Sequence, residues 1–178
     1  MEKSKNKRLW IMCGVPGSGK STWIQQHINY FNKSHAVISR DDIRFSMIKE
    51  NDSYFSKEKE VFAEFIKQII FSLNNNFDTI VDATHINPAS RGKLLRALKN
   101  NLKDIQINAI VIKEPLEVAL ERNKKREGLK VVPDSAIINM NTQFIDPTIE
   151  EGFDNIWIKK GETYLFHKPV YEIIRKEN

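Results

Sequence analysis

The chain has 178 residues, 40% of them hydrophobic and 29% charged, with a formal net charge of +5 and a pI of about 9.2. That length suits one domain over residues 1–178 with a real core, and a lone cysteine, Cys13, excludes an intramolecular disulfide framework or a Cys-rich zinc site. No apolar run spans a bilayer and no signal-peptide core follows the basic start, so a cytoplasmic protein without a membrane partner is expected; the positive balance suits an anionic partner such as nucleic acid.

Residues 1–8 carry Lys3, Lys5, Lys7 and Arg8 and read as a basic, disordered arm. Leu9–Cys13 then predicts a buried parallel strand, with Cys13 a small strand residue. The next residues, Gly14-Val15-Pro16-Gly17-Ser18-Gly19-Lys20-Ser21-Thr22, fit G-x-x-x-x-G-K-[ST]. In such a loop small residues let backbone N–H groups curl around a triphosphate. Lys20 would reach the β/γ-phosphates and the Ser21 hydroxyl would hold Mg²⁺. A helix predicted over Ser21–Phe31 would point its N-terminus at the same phosphates. A chance glycine-rich turn does not require a strand before it and a helix after it. The expected ligands are therefore ATP and Mg²⁺, with Gly14, Pro16, Gly17, Ser18, Gly19, Lys20, Ser21 and Thr22 forming the cradle.

Strand and helix signals continue to alternate. Ala36–Ser39 reads as a strand and Asp41–Lys49 as a short helix. Over Lys57–Leu73, Val61, Phe62, Phe65, Ile66, Ile69, Ile70 and Leu73 fall on one helical face. Thr79–Val81 is a strand closing on Asp82, and Asn87-Pro88 caps a helix to about Asn100. Ile105–Ile112 is a strand, and Pro115 opens a helix to about Lys125. Ser135–Phe144 is helical, Asn155–Ile158 closes the sheet, Thr163–Phe166 adds an edge strand, and Val170–Arg175 is a terminal helical turn. The order predicts an α/β fold, a parallel sheet with helices on both faces, whose ligands sit beyond the carboxyl ends of the strands. No repeat or linker divides it.

Three further groups fall at those strand ends. Ser39 and Asp42 fit a capping box, which frees Asp41 and Arg44, three apart, to share a helix face. Asp41 could accept a proton from an attacking hydroxyl while Arg44 grips an acceptor phosphate; alternatively both aspartates serve only the helix dipole. Asp82 is either part of the Mg²⁺ shell and an orienter of the loop serine, or a plain turn residue. Arg122 and Arg126 are four apart, in a stripe with Val118 on one helix. They are either a guanidinium pair for a transferring phosphoryl group or a solvated charge run. His27, His35, His85 and His167 lack ligand spacing, so packing or surface roles are expected, although His85 follows Asp82 closely enough to reach a substrate. Trp10, Trp23 and Trp157 are expected in the core.

Taken together, GVPGSGKSTW, SRDDIR, VDATHINP and ALERNKKREGLKVVP resemble the 5′-hydroxyl polynucleotide kinase domain of phage polynucleotide kinase-phosphatase. The stretch FIDPTIEEGFDNIWI is similar to a segment of animal polynucleotide kinases. The resemblance runs from Leu9 to Ile158, and R-D-D-x-x-R with R-N-x-x-R is far more specific than the loop alone. It implies a P-loop kinase fold with a helical lid over residues 115–143. It further implies transfer of the γ-phosphate of ATP to 5′-OH ends of DNA or RNA. Lys20, Asp41 (general base) and Arg126 (lid arginine on the transferred phosphate) would then be catalytic. Arg44, Asp82 and Thr84 would meet the substrate, Ser21 and Asp82 the metal, and Arg122 with Val132 would sandwich adenine. The Asp-Ala-Thr-His stretch is one residue longer than the phage pattern, and no D-x-D-G-T-type phosphatase motif follows residue 150. Two other readings stand beside this one: a P-loop kinase of a small-molecule hydroxyl, and a non-catalytic nucleotide-gated binding module.

Overall fold

The structure, a computed structural model, describes residues 7–31, 34–49, 52–161 and 163–167. Its centre is a six-stranded sheet in the order β2-β3-β1-β4-β5-β6. The strands are β1 (Lys7–Cys13), β2 (His35–Ser39), β3 (Asp78–Asp82), β4 (Ile105–Lys113), β5 (Asn155–Lys160) and β6 (Thr163–His167). β6 runs antiparallel to β5, and the other pairings are parallel. The sheet is thus mixed at one edge. Between the strands lie α1 (Lys20–Gln26), α2 (Arg40–Met47), α3 (Glu58–Asn74), α4 (Pro88–Leu98), α5 (Leu116–Lys124) and α6 (Asp134–Thr142).

Alternation along β1 explains why helices cover both faces. Leu9, Ile11 and Cys13 point to one side, where they pack with Val61, Phe65 and Ile69 of α3 and Leu94 and Leu98 of α4. Met12 points to the other, against Ile24 of α1, Phe31, Ile80, Ile110 and Ile112. A third cluster of Val15, Ala119 and Ile137 fastens α5 and α6 to the loop after β1. Trp10 and Trp157 sit partly buried in tilted ring contact, while Trp23 stacks on His27. No helix among the described residues is long and apolar enough to cross a membrane.

Several expected boundaries shift. α1 stops at Gln26 and the chain continues as a 3₁₀ turn, Ile28–Tyr30. The expected basic arm is shorter than residues 1–8, because Lys7 and Arg8 already belong to β1 and Arg8 pairs with the buried Asp78. Residues 1–6 and the helical turn expected at 170–175 lie outside the described residues. α4 begins as its sequence requires: Asn87 accepts from Ser90 N–H in a capping box, with Pro88 at the first helical position.

Parallel register aligns the functional ends. Ser39 is level with Asp82, and Ile11 is level with Val81, so the ends of β2, β3 and β1 open side by side. The residues that follow them, Arg40–Arg44, Ala83–Thr84 and Gly14–Lys20, therefore share one rim.

Candidate active site

The loop after β1 is closed by backbone shape. Gly17 has φ +80, and a Cβ there would lie 2.2 Å from the Ala119 carbonyl oxygen of α5. A Cβ on Gly14 would meet Ser18 Oγ at 2.6 Å and the Ile112 carbonyl at 2.8 Å. Gly14 N–H donates to Thr84 O at 2.8 Å, which ties the loop to the segment after β3. Lys20 opens α1 and turns back over the loop, its Nζ donating to Gly14 O (2.9 Å) and Val15 O (3.0 Å). Burial pulls the Lys20 ammonium below its ordinary range, against the fields of Asp82 and Asp41, which favour its charge.

Ser21 Oγ donates to Asp82 Oδ2 at 2.6 Å. Two hard oxygen donors thus stand together beside Lys20, at the end of β3 where the register predicts. No cluster of three or more His, Cys, Asp or Glu side chains suited to a metal occurs among the described residues. The Ser21–Asp82 pair fits a Mg²⁺ ion, which takes one or two protein oxygens and fills its remaining positions with water and phosphate. The Gly14–Gly17 cradle and the buried, unpartnered Ser18 Oγ fit a phosphate chain.

Across an open cavity of about 1100 Å³ from this pair lies the start of α2. Ser39 caps it by accepting from Asp42 N–H at 3.1 Å. Asp41, with its side chain 54% exposed, accepts on Oδ1 from Arg44 (2.6 Å) and from the Tyr54 hydroxyl (2.8 Å). Arg44 is buried and also donates to Tyr54 Oη (3.0 Å) and Glu58 Oε2 (2.7 Å), its guanidinium 4.4 Å from the Tyr54 ring centroid. Arg40 pairs with Glu58 from the same turn. Burial opposes the Arg44 charge, but Glu58, Tyr54 and Asp41 outweigh it and hold the guanidinium above its usual range. Burial, reinforced by Asp41, pushes the Tyr54 phenol up to about 12, so it stays a donor at neutral pH. Sequence reasoning did not find Tyr54, Glu58 or Arg40; α3 brings Glu58 in from 14 residues beyond Arg44.

The two arginines expected on one helical stripe divide. α5 ends at Lys124, so Arg126 lies beyond it and does not share the expected helical stripe with Arg122. The reason is Asn123, whose side chain donates to Val132 O (2.6 Å) and accepts from Val132 N–H (3.1 Å), turning the chain back. Arg126 and Val132 then line the same cavity as Lys20. Arg122 instead reaches the back of the loop, 3.4 Å from Ser18 O. His85 packs, as its lack of ligand spacing suggested: it does not line the cavity, being buried with Nδ1 3.0 Å from Met12 O. Burial lowers its pKa to about 4. Beneath it Arg91, fully buried, forks onto Glu151 (2.7 and 2.8 Å) and donates to the carbonyls of His85, Ile145 and Asp146.

This geometry has relatives. A mimivirus protein (Acanthamoeba polyphaga mimivirus) named as a bifunctional polynucleotide phosphatase/kinase is 27% identical over 96% of this chain and 36% of its own length. The bifunctional polynucleotide phosphatase/kinase of Schizosaccharomyces pombe is 25% identical over 87% of this chain and 34% of its own. The chain thus spans about a third of these curated relatives. A chain of the Pnkp1/Rnl/Hen1 RNA repair complex superposes with a TM-score of 0.65 at 28% identity, over 77% of this chain and 43% of that one. Chaetomium thermophilum Kti12 bound to ADP-AlF3 shares the fold, with a TM-score of 0.64 at 17% identity over 86% of this chain and 89% of its own. The model of the AAA domain matches residues 9–147, which take in the phosphate loop, Asp41, Asp82 and the Arg122–Val132 turn, and the chain belongs to that family.

Proposed function

We propose that this chain is an ATP-dependent kinase that transfers the γ-phosphate to 5′-hydroxyl ends of DNA or RNA. One observation carries the reading: Asp41, fixed by Arg44 and Tyr54, lines one cavity with Lys20 and the Ser21–Asp82 pair. A base and a phosphate cradle in one cavity suit in-line transfer to a hydroxyl, where positioning and electrostatics do most of the work. The polynucleotide kinase names among the relatives support a 5′-hydroxyl nucleic acid as the acceptor.

In this mechanism Asp41 takes the proton of the 5′-hydroxyl as its oxygen bonds to the γ-phosphorus and the bond to the β-bridging oxygen breaks. Arg44 and Tyr54 hold the carboxylate in place, and Arg44 meets the first phosphate of the acceptor from the cavity wall. Lys20 and Arg126 stabilise the charge spreading over the transferred group. Val132 flanks adenine from the cavity wall, and Thr84 meets the acceptor beside Asp82. Ser21 and Asp82 would hold Mg²⁺, which when bound neutralises β- and γ-phosphate charge.

The test is a panel. The protein is incubated with γ-radiolabelled ATP, Mg²⁺, 5′-OH DNA and RNA oligonucleotides, sugars and amino alcohols. Label on the oligonucleotides is expected. Label on the small alcohols alone would replace this reading with a small-molecule kinase, and no transfer to any acceptor would leave a nucleotide-gated binding module.

A further inference from the structure

The segment between α2 and α3 presents an aromatic ring that the mechanism above leaves unused. Phe55 is 64% exposed, although it lines the same cavity as Asp41 and Arg44. Its ring is not loosely placed. It packs edge-on to Tyr54, with centroids 4.8 Å apart at 81°, and Tyr54 is itself fixed by its bonds to Asp41 and Arg44. The Arg44 guanidinium stands 5.8 Å from the Phe55 centroid.

What sets Phe55 apart from other exposed rings, such as Phe71, is its place: it lines the cavity beside Asp41 and offers a flat partner a face to stack on. Arg40 and Arg44 on this rim are paired with Glu58 and Asp41, and Arg126 and Lys130 on the same lining are the cations a partner must also tolerate. An aliphatic or cationic ligand meets only half of those conditions. A nucleobase on a phosphate backbone meets both, because every base offers a π-face and every link a negative charge.

Resting on the kinase reading above, we infer that Phe55 is a stacking platform for a nucleobase within the first two nucleotides of the acceptor strand. Tyr54 ties that platform to the base that activates the 5′-oxygen, so the stacked nucleotide and the reacting hydroxyl are positioned by one unit.

The test compares steady-state kinetics of wild-type protein, Phe55→Ala and Phe55→Trp. The acceptors are a 5′-OH oligonucleotide and matched strands abasic at the first or second position. Urea midpoints confirm folding of each variant. Phe55→Ala should lower kcat/KM for the intact strand by roughly 5- to 150-fold, the usual worth of one base–aromatic stack. It should leave the KM for ATP unchanged and have little effect on one of the abasic strands, which in wild-type protein should already be poor. Phe55→Trp should restore the intact strand. Equal penalties on intact and both abasic strands would overturn the platform while leaving the kinase reading intact. Transfer by wild-type protein to no oligonucleotide at all would remove the kinase reading, and this inference with it.

Discussion

Replacing Gly17 by alanine tests how tightly the phosphate loop packs against α5. The residue sits at φ +80, and its new Cβ would lie 2.2 Å from the Ala119 carbonyl oxygen, where ordinary contact begins at 3.4 Å. Backbone must therefore move by about an ångström, since Ala119 is fully buried between Val15 and Ile137 and has no flexible end to yield. The left-handed dihedral costs about 1–2 kcal/mol for an L-residue and the overpacking about 1–3 more. Gly152→Ala is the matched control: φ +104, with open space around the added Cβ. It should cost only the dihedral part. Urea unfolding midpoints with shared m-values should rank Gly17→Ala below Gly152→Ala by about 1–3 kcal/mol. ATP titration should show at least a roughly tenfold loss of affinity for Gly17→Ala alone, because the loop amides turn with the displaced backbone. Equal stability losses and unchanged ATP affinity in both variants would refute the claim that α5 presses on the loop.

Asp41→Asn should retain ATP binding while transfer falls by about 10²–10⁴-fold, the usual worth of a general base, whereas Asp42→Asn should cost only about 0.3–1 kcal/mol of helix stability in a melt. Inactivation by Asp42→Asn with Asp41→Asn active would reverse the two roles. Arg91→Ala strands the Glu151 carboxylate and three backbone carbonyls, so chemical denaturation should register a loss of about 3–5 kcal/mol. His85 gives a pH signature. Its folded pKa of about 4 lies below its ordinary 6.5, so only the unfolded chain takes up a proton as pH falls between those values. Stability is full above 6.5 and should drop by about 3 kcal/mol on approach to pH 4 from this group. His85→Asn, which tolerates the positive φ of 42 found there, should flatten that slope in urea midpoints measured across the window.

What the sequence made legible was contiguous. Strand, glycine loop and helix run without interruption from Leu9 through Lys20, and each part implies the next. Asp82 could be placed at a strand end by its apolar run, yet its bond to Ser21 joins residues 61 apart and follows only from the β1–β3 register. The Asp41–Arg44 pair was legible because i,i+3 residues meet on any helix. Tyr54 and Glu58 were not, because their approach depends on how α3 folds back over α2. Arg126 was misplaced for a local reason: helical spacing extends smoothly through it, and only the Asn123 clamp on Val132 ends the helix before it. Arg91 reads as an ordinary helix-surface arginine until the return of the chain at Ile145–Glu151 buries it.

The central claim is that Asp41 activates a 5′-oxygen of nucleic acid for attack on ATP held by the loop. It is tested most directly by mapping the radiolabel transferred from γ-labelled ATP to a 5′-OH oligonucleotide, with wild-type protein and Asp41→Asn side by side. The account predicts label confined to the 5′-terminal oxygen, released by phosphomonoesterase, and lowered by about 10²–10⁴-fold in the variant. Label at another position, or an undiminished rate in Asp41→Asn, would contradict it.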